Sequence, residues 1–169
     1  MNRLQLATLL SWAGDRGIQG RKRLQKIVFF LQQAGCDLGC RYTLHYFGPY
    51  SRDVADACDE MVAAQLIDEN VVDQSGNKQY AYTLKPQTRE LLRNTPENQL
   101  KKYQSLGKAL VQEGIWSLEL GSTILFFYRQ SGDWHDALAK ACTFKKSSPD
   151  EEASRAALAL AQRVATQAV

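Results

Sequence analysis

The stretch from Arg41 to Leu92 constrains the fold more than any other part of the chain. Arg41 to Phe47 alternates polar and apolar residues and is rich in aromatic and β-branched types, the pattern of a short strand with side chains on opposite faces. Gly48-Pro49 stops it, because proline has no N–H for a ladder and disfavours helical backbone at the residue before it. The chain must then turn before Ser51, whose hydroxyl is placed to accept an N–H from the first turn of a helix. Val54, Cys58, Met61 and Val62 fall on one stripe of that helix, Leu66 continues it, and the helix is expected to end near Gln65.

Leu66-Ile67 leads into an apolar run through Val71-Val72, a polar break from Asp73 to Lys78, and a second strand pattern from Gln79 to Leu84. Two strands around a glycine-containing loop predict a hairpin. Pro86 suits the first turn of a further helix carrying Leu91 and Leu92, where its missing N–H costs nothing. A helix, a short apolar link, a hairpin and a proline-started helix give the order of the second half of a winged helix-turn-helix domain.

A chain of 169 residues can hold one domain with a substantial core, or a small domain with an appendage. Its apolar runs are too short to span a membrane and its N-terminus lacks a signal peptide's apolar core, so a soluble cytoplasmic protein without a membrane partner is expected. Cys36, Cys40, Cys58 and Cys142 are too sparse for a disulfide framework and read as free thiols, with Cys58 on an inward stripe. Charge is unevenly placed: residues 1–50 hold seven Lys and Arg against two acids, and residues 51–100 hold five against nine.

Leu4, Ala7 and Leu10, with Leu6, Leu9 and Ala13, predict a first helix ending at Gly14, followed by a turn from Asp15 to Gly20. Leu24, Ile27, Val28 and Leu31 give the next helix its apolar stripe, while Arg21, Lys22, Arg23 and Lys26 crowd its beginning. Cations there face the positive end of the macrodipole, an arrangement that invites an anionic partner unless the run is only a solvated face. Thr95-Pro96-Glu97 predicts a helix start, and the helix is expected to run to about Gln112. The segment from Leu118 to Tyr128, apolar almost all round, should lie between other helices. Asp133 can cap a helix from Trp134. Ser148-Pro149-Asp150-Glu151 reads as a capping box ahead of a last helix whose stripe is Ala153, Ala156, Ala157, Leu160, Ala161 and Val164.

The basic Arg21 to Phe29 helix, the Tyr46-Phe47-Gly48-Pro49-Tyr50-Ser51 string and the Leu118 to Ile124 helix together resemble the YwgA-like proteins, and are similar to the wider Panacea-type domains of toxin–antitoxin and phage-defence loci. The resemblance runs from Leu4 to about Val164. It implies a winged-helix-like core with added helices and a role in binding rather than catalysis, and it brings no catalytic residues.

Recognisable chemistry is sparse. Cys36 and Cys40 form a single short pair, whereas structural zinc draws on two, so no metal site is expected. Asp133-Trp134-His135-Asp136 places a histidine beside carboxylates, but helix capping accounts for both aspartates, and His45 falls in a predicted strand. The chain has no phosphate loop and no nucleotide fingerprint.

The fold expected is therefore mainly α with a small hairpin or three-stranded sheet: a winged-helix-like core over residues 1–94 and a helical extension over 95–169 packed on it. No enzyme activity, catalytic residue or cofactor is expected. Three surfaces are candidates for contact. The basic face of Arg21, Lys22, Arg23 and Lys26 would meet a partner or nucleic acid. The aromatic turn of Tyr46, Phe47, Pro49 and Tyr50 has interface composition, although clustered aromatics also serve cores. The acidic helix holds Asp53, Asp56, Asp59 and Glu60 against Arg52, a balance that repels a duplex and suits a basic protein. A protein partner, such as a toxin or defence component, is the first expectation. Double-stranded DNA bound by a transcriptional regulator is the alternative, and a homodimer is compatible with either.

Overall fold

The computed structural model describes residues 1–74, 77–95 and 99–167. Its helices are α1 (Arg3–Ser11), α2 (Arg21–Gln33), α3 (Arg52–Ala63), α4 (Pro86–Arg93), α5 (Gln104–Gln112), α6 (Ile115–Ser131), α7 (Trp134–Lys145) and α8 (Glu152–Ala165). The strands are β1 (Ile18–Gln19), β2 (Thr43–His45), β3 (Gly48–Tyr50), β4 (Ile67–Gln74) and β5 (Asn77–Leu84). The protein is thus mainly α with a small antiparallel three-stranded sheet, ordered β1-β5-β4, and a separate two-stranded ribbon of β2 and β3.

The hairpin follows the sequence closely. Ile67 pairs with Leu84 and the register continues to Gln74 opposite Asn77, so strand pairing takes most of the predicted polar break; Ser75 and Gly76 lie outside the described residues. Two expectations need correcting. Ile18 and Gln19, read as part of a turn, pair with Tyr82 and Ala81 as an edge strand. Gly48-Pro49 does not simply end a strand: Pro49 lies opposite Leu44 in a return strand, which a two-stranded ribbon tolerates because its outer edge asks for no N–H.

Helix α2 is the central element, with every residue from Leu24 to Leu31 buried. Helix α6 packs on it and on β3, and α7 and α8 pack on α6. One apolar cluster accordingly runs from Leu6 to Val164, joining the helices after residue 99 to the elements before residue 94. Gly121 allows the close approach of α8, since a Cβ there would lie 2.9 Å from the Ala157 carbonyl oxygen. The inward stripe of α8 is Ser154, Ala157, Leu160, Ala161 and Val164. Ala153 and Ala156 face outward instead.

Helix boundaries test the capping arguments. Asp133 caps α7, accepting from the His135 and Asp136 N–H groups at 2.7 and 3.1 Å. Asp133→Ala is expected to cost about 1 kcal/mol, read as a lowered urea midpoint. The Ser148 signal is displaced: Glu151 does reach back to the Ser148 N–H at 3.1 Å, but α8 begins only at Glu152. Helix α1 stops at Ser11 and Gly14–Arg16 forms a short 3-10 turn. Pro96 and Glu97, the expected start of the next helix, lie outside the described residues, and a 3-10 turn at Gln99–Tyr103 leads into α5. Among the described residues no helix is long and apolar enough to cross a membrane.

Candidate functional site

The basic beginning of α2 finds its negative partners within the chain. Arg21 meets Glu69 of β4 at 2.7 Å and stacks 3.9 Å from the centre of the Tyr80 ring. Lys22 reaches Glu119 of α6 at 3.0 Å. The Arg23 guanidinium donates to the carbonyls of Val111 and Glu113, so a cation sits at the negative end of α5. Intramolecular pairing thus answers much of the electrostatic demand that the sequence raised.

Lys26 departs furthest from the sequence reading. It is only 2% exposed and therefore cannot join a surface patch. Its ammonium donates to the Pro49 carbonyl at 2.6 Å, its one hydrogen-bond acceptor among the described residues. Burial pushes its pKa down to about 7, a shift that Glu119 opposes and that Lys145 and Lys22 reinforce. The apolar stripe of α2 gave no hint of this, because β3 and α6 cover the face of the helix that a lone amphipathic helix would leave wet.

The neighbouring residue Gln25 holds the same junction. Its amide nitrogen donates to the Ser51 carbonyl at 2.8 Å, and its oxygen accepts the Ser51 N–H at 2.9 Å. Ser51 is the N-cap of α3, as expected, but its hydroxyl makes no capping bond. The side chain is fully buried and lies 3.4 Å from Asp53 Oδ2.

The aromatic turn divides into two pairs. Tyr46 is 80% exposed and Phe47 46%, with their rings edge to face at 5.0 Å. Pro49 is buried and Tyr50 half-buried, the latter lying 4.7 Å from the exposed His45 ring. Phe47 is pinned by cations: the Lys22 ammonium lies 4.0 Å and that of Lys145 5.9 Å from its ring centre. Both ammonium groups also contact Glu119, Lys145 at 3.1 Å. The turn is seated by Gly48, whose backbone takes φ +92° against α6.

Helix α3 does not present a bare acidic face. Asp53 accepts the Arg41 N–H at 2.8 Å, which holds its carboxyl below the usual carboxylate range. Asp56 pairs with Arg52 at 2.6 Å, and Glu60 lies 4.0 Å from Arg3. Asp59 has no ion-pair partner among the described residues. Among the described residues α3 carries both signs in pairs rather than one uniform acidic face.

Between α2, the β2–β3 turn and α3 lies a cleft of about 420 Å³, where Arg21, Lys22 and Lys26, Phe47 and Tyr50, and Asp59 all contribute to the wall. The structure therefore brings members of all three sequence-selected groups to one opening. Arg23, Tyr46, Pro49, Asp53, Asp56 and Glu60 stand outside it. Among the described residues no group of three or more His, Cys, Asp and Glu could hold a metal ion. All four cysteines are free and buried, and burial pushes the Cys58 thiol at the cleft up to about 12, away from thiolate reactivity.

Gln25, Gly48, Glu119 and Lys145 were missed as site residues. Glu119 did leave a sign, as the single carboxylate within the apolar Leu118 to Phe127 run. Gln25 and Lys145 left none, since neither departs from the polar face of an ordinary helix.

No family model matches the chain. It is similar to the Bacillus subtilis (strain 168) protein YwgA, described as an uncharacterized protein, with 27% identity over 122 residues covering 72% of this chain and 73% of that protein. That similarity supports a YwgA-like relationship for the chain and brings no activity with it.

Proposed function

We propose that the protein is a non-enzymatic binding module whose partner is another protein, docked at the aromatic turn. The observation that carries this reading is the exposed Tyr46–Phe47 pair, with Gly48 seated behind it and the Lys22 and Lys145 ammonium groups against the Phe47 ring. Aromatic side chains that are rigid before contact lose little entropy on docking and are common anchors of protein interfaces. The mixed charges of α3 beside the turn suit a polar rim. An antitoxin or defence setting rests on the resemblance of the sequence to YwgA-like and Panacea-type proteins.

The element order helix, strand, helix, helix, hairpin and the sheet order β1-β5-β4 favour a winged-helix-like core, with β2 and β3 inserted before the third helix. That order keeps a DNA-binding regulator as the second reading. Its weakness is electrostatic: a groove reader needs uncommitted cations, and here Arg21, Lys22 and Arg52 are each paired with a carboxylate.

Partner capture from the native host, followed by titration of the purified partner, tests the first reading. Tyr46→Ser with Phe47→Ser is expected to weaken binding at least tenfold, and equal binding by wild type and double variant would remove the aromatic turn from the interface. Anisotropy titration with a random duplex at low salt is expected to show no saturable binding; steeply salt-dependent binding would instead favour the regulator. Analytical ultracentrifugation separates a second copy of the chain from a different partner.

A further inference from the structure

We propose that the cleft between α2, the β2–β3 turn and α3 binds a small anion carried on a flat ring, a phosphate or carboxylate of mononucleotide size. The cleft's volume of about 420 Å³ lies in the range of small-ligand sites. This goes beyond the protein-docking reading and does not depend on it: of the two anchors of that reading, Tyr46 lies outside the cleft, and Phe47 is shared with its wall.

Charge argues for the anion. Of the basic side chains on the wall, Arg21, Lys22 and Arg52 are matched by Glu69, Glu119 and Asp56. Lys26 is different: it is almost fully buried, lines the cleft, and has a single carbonyl acceptor for three possible N–H donors. A buried amine short of acceptors is costly, and an anionic oxygen entering the cleft would supply a further hydrogen bond and a negative charge beyond that of Glu119, which Lys22 and Lys145 already share. Retaining lysine here, where methionine would fill the space without that cost, is what a ligand contact would explain.

The ring is argued from the rest of the wall. Phe47, Tyr50 and Tyr82 contribute aromatic surface, while Leu24, Val54 and Cys58 contribute apolar surface, and Asp59 is the one acid on the wall among the described residues. Flat apolar walls around one buried cation fit an aromatic anion better than a bare inorganic one.

The groups facing Lys26 are Glu119 of α6, Lys145 of α7 and Lys22 of its own helix. His45 of β2 is the other cleft-wall side chain with a basic nitrogen and no ion pair among the described residues. An anion held by Lys26 should dissociate more readily as pH rises and the amine loses its proton, and His45→Asn should leave that dependence in place.

Calorimetric titration of the full chain with adenosine 5′-monophosphate and 4-hydroxybenzoate, against adenosine and inorganic phosphate, tests the proposal. At least one ring-bearing anion is expected to saturate, with adenosine and phosphate each at least tenfold weaker. Lys26→Met should weaken that ligand at least tenfold, and NMR shifts in the wild-type protein should cluster at Gln25, Gly48 and Tyr50, which keeps the test valid if the variant folds poorly. No saturation by either ring-bearing anion, phosphate binding as tight as both, or shifts clustered away from the cleft would overturn it. A protein partner still captured through Tyr46 and Phe47 in that event would show that only the ligand site had failed.

Discussion

Gly48→Ala is expected to destabilise the protein by about 3 kcal/mol and to unseat the aromatic turn. Two costs combine at this position. With φ at +92°, any L side chain strains the backbone, and a Cβ would lie 2.6 Å from Thr123 Oγ1 and 3.3 Å from the Glu119 carbonyl oxygen. Thr123 cannot swing aside freely, because its hydroxyl donates to that same carbonyl at 2.7 Å in the buried middle of α6. Gly39 supplies the control: its φ is +64°, but nothing lies within 4 Å of a Cβ there. Gly39→Ala should therefore show only the backbone part, about 1 kcal/mol. Urea denaturation of the two variants separates strain from crowding, and equal losses would show that α6 yields to the added methyl. Partner binding through Tyr46 and Phe47 should weaken in Gly48→Ala even where the chain remains folded.

The second large effect is a dependence of stability on pH that traces to one amine. Burial lowers the Lys26 pKa from the ordinary 10.5 to about 7 in the folded chain. The unfolded chain therefore holds more protons than the folded one between those values, and stability rises with pH through the window. From pH 7 to pH 9 the gain is about 2 to 3 kcal/mol, since each unit of proton imbalance is about 1.4 kcal/mol. Above the ordinary thiol value of 9.0 the trend turns, because burial raises Cys36 to about 11 and Cys58 to about 12. There the unfolded chain loses thiol protons that the folded chain keeps, and stability falls. Between pH 7 and pH 9 urea midpoints should climb in the wild type and stay nearly flat in Lys26→Met, and above pH 9 both proteins should feel the thiol loss. Equal slopes for the two proteins would show that Lys26 is not the group responsible.

These two effects meet where α2, β3 and α6 come together. Periodicity located α2, α3, α6 and the β4–β5 hairpin because each has its own repeating apolar pattern and its own stop signals. The two residues of β1 have no such pattern: Ile18 and Gln19 become a strand only because β5 offers an unpaired edge. Pro49 likewise reads as a terminator until Leu44 is found opposite it. Ser51 reads as a capping hydroxyl, but Gln25 takes hold of its backbone and its side chain is buried.

Local order was written in the chain itself: which segments coil, which face of each is apolar, where Asp133 and Pro86 start helices, and that the Gly-Pro-Tyr-Ser string turns. Tertiary packing decided what the charged residues do. Arg21, Lys22, Arg23 and Lys26 are neighbours in sequence, yet they end on a hairpin carboxylate, an α6 carboxylate, the end of α5 and a buried carbonyl. Coulombic partners and desolvation depend on distances between elements far apart in the chain, so four adjacent cations became four separate environments rather than one basic face.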